Sequence, residues 1–241
     1  MKLVEFTHSD PALHLACGET LLEQAEAGAR GETLRFCEIE GPAVVMGIGG
    51  EWEREVRRDA CAGDGVPILR RASGGGTVVL ARGCLGYELV LDTERDRALG
   101  GIRESYGWIL SRLAGALSTR GVQAAHAGLS DLAWNNRKIG GSAQRRKRRY
   151  LLHHGTLLYD FDVTHLSRYL REPPEAPEYR AGQEHGDFVA NAPLSREELR
   201  EAVMEAFGAA GEAEDVTADV ADAAGELAER KYRRDDWTFR L

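Results

Sequence analysis

The chain has 241 residues, enough for one large domain with a sizeable core or for two small ones. Its formal net charge of −8 gives no bulk electrostatic reason to bind nucleic acid, and no apolar run approaches the roughly 20 residues of a membrane span. The opening MKLVEFTHSD lacks the apolar stretch of a signal peptide, and Cys17, Cys37, Cys61 and Cys84 show no metal-ligand spacing, so a reduced cytoplasmic protein without a metal site is expected.

Asp10-Pro11 reads as an N-cap followed by proline at the first helical position. The helix it opens carries Leu13, Ala16, Leu21, Leu22 and Ala25 on one stripe and stops at Gly28. Five short β-like runs follow: TLRFCEIE, AVVMG, VPILRR, TVVLA and YELVL. Helical periodicity returns with Tyr106, Ile109, Leu110, Leu113 and Leu117 and ends at Gly121. A second β-rich block, roughly residues 122 to 160, contains VQAAHA, SDLAW, RKIGGSAQ and YLLHHGTLLY. After a proline-rich loop, EPPEAPEY, a capping box from Ser195 to Glu198 starts a helix with Leu199, Val203 and Phe207 on one face. The tail reads as a further helix and a short terminal strand. There is no repeat and no long linker, so one domain spanning 1–241 is expected. Its class is α+β, a mixed sheet with flanking helices, because strands come in clusters with helices between them.

The most informative segment is RRASGGGTVVL, residues 70 to 80. Gly74, Gly75 and Gly76 let the backbone approach a ligand and point N–H groups at an anion. Arg70 or Arg71 can neutralise a phosphate or carboxylate. The glycines are not followed by Lys-Ser/Thr and lead into a strand, which excludes a P-loop and a dinucleotide fingerprint. A flexible hairpin with two surface arginines fits the segment equally well.

RKIGGSAQ places Lys138 beside Ile139, Gly140 and Gly141 on a strand. An ammonium close to bare backbone suits an acyl carbonyl and the α-phosphate of an acyl-adenylate. The competing reading is a surface lysine beside a β-bulge. In YLLHHGTLL the adjacent His153 and His154 must point to opposite faces, so one of them can face a cleft. The run from Arg145 to Arg149 sits between two strands and is expected to be either an exposed positive patch that docks an acidic partner or a solvated hairpin tip.

Taken in order, RR-x-SGGG-x-V, RKIGGSAQ and HHGTLL resemble the lipoate–protein ligase A family and its octanoyltransferase relatives, from about residue 10 onwards. The resemblance implies a fold similar to biotin protein ligases and class II aminoacyl-tRNA synthetases. It implies that lipoate or octanoate and ATP-Mg²⁺ form an acyl-adenylate, which a lysine of a lipoyl domain or glycine-cleavage H protein attacks. Lys138 matches the family's essential lysine. Arg70 and the turn from Gly75 through Gly76 and Thr77 to Val78 match the nucleotide- and acyl-contacting loop, with Arg71, Ser73 and Gly74 beside them. Asp131 stands where the family has an acidic residue near the nucleotide, although a strand-end turn residue would look the same. Gly140 and His154 complete the candidate set.

The chain departs from the pattern in three places. GIGGEWERE replaces the family's Gly-Arg-x-Gln-Asn, and LARGCLGYE puts Cys84 where ligases have an asparagine. The chain also stops before the small accessory domain of many ligases, which leaves room for a separate accessory subunit. Octanoyltransferases use a cysteine nucleophile, but HAGLSDLAWNNRK and DFDVTHLSRYLREPPEAPEY contain none. Cys84 reads first as a small buried strand residue. The expectation is therefore an ATP-dependent ligase. The alternatives are ATP-independent transfer from an acyl-carrier thioester, or a catalytically weak acyl-carrier-binding protein.

Overall fold

The computed structural model describes residues 1–6, 8–172 and 177–241, so part of the expected proline-rich loop lies outside the described residues. In chain order the elements are β1 (Lys2–Glu5), α1 (Pro11–Glu26), β2 (Thr33–Cys37), β3 (Ala43–Met46), α2 (Trp52–Glu55), α3 (Arg58–Asp64), β4 (Ile68–Arg70), β5 (Val78–Leu80) and β6 (Cys84–Asp92). They continue with α4 (Ile102–Ser118), β7 (Ala125–Ala127), β8 (Asp131–Trp134), β9 (Arg137–Arg146), β10 (Tyr150–Leu158), α5 (Thr164–Tyr169), α6 (His185–Phe188), α7 (Arg196–Phe207), β11 (Glu214–Asp215), α8 (Ala218–Leu227) and α9 (Asp235–Thr238).

The local signals act as their chemistry dictates. Asp10 accepts a hydrogen bond from the Ala12 N–H at the start of α1, and Ser195 and Glu198 form a reciprocal capping box on α7. The tail differs from expectation. Its last element is the helical turn α9, whose Trp237 indole N–H donates to the Arg70 carbonyl at 2.8 Å, so the aromatic tail docks on β4 without joining a sheet. No helix among the described residues is long and apolar enough to cross a membrane.

Eight strands form a mixed sheet in the order β11-β1-β2-β6-β10-β9-β8-β7, and β4-β3-β5 form a separate three-stranded sheet. The pairs β11-β1 and β1-β2 are parallel, and the rest of the large sheet is antiparallel. Strand alternation sorts the residues of β6. Leu85, Tyr87, Leu89 and Leu91 pack with residues of α4 and α7 on one face. On the other face Val90 packs with residues of α1 and α8, while Cys84 packs with residues of the small sheet, α5 and α6. Between these last two clusters the sheet is covered less completely, and a pocket occupies the gap.

Candidate active site

Register builds the floor of this pocket. Gly141 of β9 pairs with Thr156 of β10, Thr156 with Gly86 of β6, and Gly86 with Cys37 of β2. These four small residues make a straight row across the sheet. Three strand spacings make the row about 14 Å long. The next row toward the core of the strands is Ala143, His154, Glu88 and Arg35. The roof is apolar: Pro11 and Leu15 from α1, Ile39, and Val45, Val78 and Leu80 from the small sheet. The result is a trough open at the Gly141 end. At its other end Cys37 leans over Gly86, where a Cβ would stand 2.6 Å from the Cys37 sulfur.

Lys138 guards the open end. Strict alternation would put Lys138 and Gly141 on opposite faces of β9. However, Leu132 pairs with Gly140 and Ala133 with Lys138, so Ile139 is an extra residue, a bulge, and it is fully buried in the α4/α7 core. The bulge returns Lys138 to the trough face. Its ammonium lies 2.8 Å from Asp131 Oδ1, with the lysine side chain 28% exposed and the aspartate side chain 10%. The other carboxylate oxygen, Oδ2, accepts from the Tyr179 hydroxyl at 2.8 Å. Burial and the facing Asp131 carboxylate raise the Tyr179 phenol well above its usual range, so it remains a donor. Past Lys138 the trough widens into an outer cleft between the glycine loop and residues 177 to 189.

The glycine loop is an arch tied down by Arg71. Its Nη2 donates to the carbonyls of Gly74 (2.5 Å) and Gly76 (2.9 Å), Nη1 to that of Val45 (3.1 Å), and Nε to Ser73 Oγ (3.1 Å). Gly75 takes a φ of +84°, which suits glycine. Burial lowers Arg71 to about 10, which still leaves it cationic at neutral pH. Thr77 Oγ1 donates to Glu55 at 2.6 Å. Gly75, Gly76, Thr77 and Val78 line both the trough and the outer cleft.

Four expected ligand-contact residues need correction. Arg70 is fully buried and does not line the trough: its Nε donates to the Thr238 carbonyl and its Nη1 to those of Gly47, Ile48 and Gly50, while Nη2 has no partner among the described residues. Its charge holds the 47–50 turn and the C-terminal segment. Gly140 faces the core side, where a Cβ would stand 2.5 Å from the Thr156 carbonyl oxygen; Gly141 is the trough glycine. Ser73 and Gly74 do not line the trough; the Ser73 hydroxyl and the Gly74 carbonyl both accept from Arg71. The basic run is partly neutralised at the hairpin tip: Lys147 pairs with Glu23 and Arg149 with Asp92, and Arg146 donates to the Leu99 carbonyl, while the Arg148 side chain stands 96% exposed. Arg146 lies eight residues of strand beyond Lys138, about 27 Å away at ~3.4 Å per residue.

The histidine pair divides as alternation requires. His153 packs edge-on against Tyr106 in the core, and His154 lines the trough. Desolvation holds both rings near 3, so both are neutral. Ser73 Oγ, which accepts from Arg71 Nε, also shares a hydrogen bond with His154 Nε2 at 2.6 Å and so ties the ring to the arch. No group of three or more His, Cys, Asp or Glu side chains among the described residues is placed to hold a metal ion.

Sequence reasoning missed Gly86, Gly141 and Cys37 as floor residues, and Tyr179. Cys37 and Cys84 both line the trough, and burial pushes each thiol up to about 12. Neither is a thiolate at neutral pH.

Known proteins share this fold and sequence pattern. Octanoyltransferase LipM of Kyrpidia tusciae is 28% identical, and the match covers 99% of this chain and 98% of that protein. The crystal structure of a lipoate-protein ligase A bound with ATP superposes with a TM-score of 0.84 at 22% identity, covering 99% of this chain and 98% of that one. The bipartite lipoate protein ligase of Thermoplasma acidophilum, studied with its E2 lipoyl domain, gives 0.79 at 22% identity, covering 99% and 95%. The model of the lipoyl protein ligase A/B catalytic domain matches residues 10–208, a span that holds the trough, the arch and Lys138, and the chain belongs to that family.

Proposed function

We propose that this protein transfers an octanoyl or lipoyl group to a lysine of a lipoyl-domain carrier protein. The carrying observation is the apolar trough closed at one end by Cys37 and guarded at the other by the Lys138 ammonium. A medium-length chain lies over Gly141, Thr156 and Gly86, and its carbonyl oxygen meets Lys138. Charge that develops on that oxygen during acyl transfer is stabilised by a fixed cation at the trough mouth. The E2 lipoyl domain studied with the Thermoplasma relative supports the choice of carrier.

For the acyl donor, the end-to-end likeness to an octanoyltransferase favours an acyl-carrier thioester, used without ATP. This reading displaces the ATP-dependent ligase expected from the sequence. Burial pushes both trough thiols up, which favours direct attack of the carrier lysine on the donor thioester, with no acyl-cysteine between. The second reading is adenylate chemistry from lipoate and ATP. The backbone of Gly75 and Gly76 facing a wide cleft beside Lys138 supports it, and magnesium would be bound largely by the nucleotide's phosphates.

Two incubations separate the readings. A lipoyl domain is mixed with the protein and either octanoyl-carrier thioester alone or free lipoate with ATP and Mg²⁺, and the domain is then weighed by mass spectrometry. Modification with the thioester alone supports the transferase. Modification only with lipoate and ATP replaces it with the ligase, and none in either tube removes the proposal.

A further inference from the structure

An acceptor lysine arrives charged, and an ammonium has no lone pair with which to attack a carbonyl. Whatever the donor, a group beside Lys138 must take that proton. Three carboxylates line the trough among the described residues. Glu88 is paired with buried Arg35 at 2.7 Å, and Glu38 with Arg196 at 2.5 Å and the Tyr159 hydroxyl at 2.9 Å; both lie toward the Cys37 end. Asp131 alone stands at the open end, and it lines the outer cleft as well as the trough.

We infer that Asp131 is the catalytic base that receives and deprotonates the carrier lysine. This inference rests on the transfer reaction proposed above. Tyr179 occupies Oδ2 and fixes the carboxylate plane. Lys138 takes one lone pair of Oδ1, and a second remains for an incoming ammonium. Two nitrogens sharing one carboxylate oxygen sit on either side of it. An acyl carbonyl oxygen on Lys138 can then bring its carbon to the roughly 3–3.5 Å separation needed for attack by the other nitrogen. The positive charge of Lys138 also favours loss of a proton from the second ammonium beside it.

The step balances as follows. The carrier ammonium gives one proton to Asp131. Its lone pair forms the C–N bond at the acyl carbon. The bond from that carbon to the leaving group breaks, and its electron pair departs with the thiolate sulfur or the phosphate oxygen. The second nitrogen-bound proton follows to the leaving group or to water, and Asp131 returns its own proton to solvent. Tyr179 is a positioning residue in this scheme.

Hydroxylamine provides the test, because it is a neutral nucleophile at pH 7 and needs no base before attack. Acyl transfer is measured from the competent donor to a lipoyl domain and, separately, to hydroxylamine, for the wild type, Asp131→Asn and Lys138→Ala. The expected result is that Asp131→Asn loses transfer to the carrier lysine by about a hundredfold or more while keeping most of its hydroxamate formation. Lys138→Ala should lose both. Hydroxamate formation also shows that the Asp131→Asn protein is folded and binds donor. Equal loss with both nucleophiles means that Asp131 only places Lys138, and undisturbed carrier acylation means that the base lies elsewhere; either overturns the inference. A wild-type protein that acylates neither nucleophile from either donor overturns the transfer reading itself, and this inference with it.

Discussion

The Lys138 side chain lies over the bare Cα of Gly141: a Cβ there would stand 2.8 Å from both Cε and Nζ of the lysine. The obstructed atoms are the far end of a flexible chain, so Gly141→Ala should move the ammonium and leave the backbone in place. The expected outcome is a loss of acyl transfer of about a hundredfold, approaching that of Lys138→Ala, with little change in melting temperature. A displaced cation forfeits on the order of 3 kcal/mol of transition-state stabilisation. Steady-state rates beside thermal melts of both variants provide the check, and normal turnover in Gly141→Ala would show that the seat is unimportant.

Chain length should be set at the other end of the trough. An extended eight-carbon acyl chain is roughly 9 Å long, against about 14 Å of floor, so its tail ends near Gly86, under the Cys37 sulfur. Cys37→Leu adds bulk at that point. It should shift the preferred donor to shorter chains across a series from four to twelve carbons and leave the rate with a four-carbon donor within about twofold. An unmoved optimum would place the tail elsewhere.

Cys84→Ser should retain more than half of the activity, because a thiol held near 12 is not a nucleophile at pH 7. The measurement is carrier acylation together with a mass-spectrometric search for acylated enzyme. Loss of turnover along with a trapped wild-type thioester would make Cys84 the acyl acceptor after all.

Stability should fall on mild acidification. His14 is lowered to about 4 and His153 and His154 to about 3, mainly by desolvation, against 6.5 when solvated. The unfolded chain therefore binds more protons than the folded one across this window. The stabilising contribution is complete above pH 6.5 and is lost progressively as pH drops toward 3. Melting temperatures from pH 7.5 to 4 should decline, with a shallower slope in His153→Gln. A flat profile would mean that these rings accept protons without cost.

Arg70→Met should destabilise the protein by on the order of 3 kcal/mol, because it orphans carbonyls of the 47–50 turn and the C-terminal segment that one buried cation now joins. Denaturant unfolding measures this directly. Unchanged stability with weakened donor binding would restore Arg70 to the role its position in the motif suggested.

Motif chemistry was legible where it depends on residue type. A lysine beside paired glycines and a glycine arch after two arginines pointed to the candidate site, and the capping residues marked the starts of α1 and α7. The two arginines were not separable by sequence, because their neighbours are alike and only the strand end at Arg70 sends one side chain to each side. The trough floor was invisible for a different reason. Gly141, Thr156, Gly86 and Cys37 come from four strands, and only the inter-strand register aligns them. Tyr179 reaches Asp131 across 48 positions of chain, with no local periodicity to announce it.

The extra residue in β9 makes that strand a reading frame. Pairing β9 with β8 in unbroken register, at unchanged length, would be the better sheet by every local measure. It would also turn the ammonium to the helix-covered side, where it has no access to the outer cleft. The face that Lys138 takes is thus held by a local irregularity that a more regular sheet would erase.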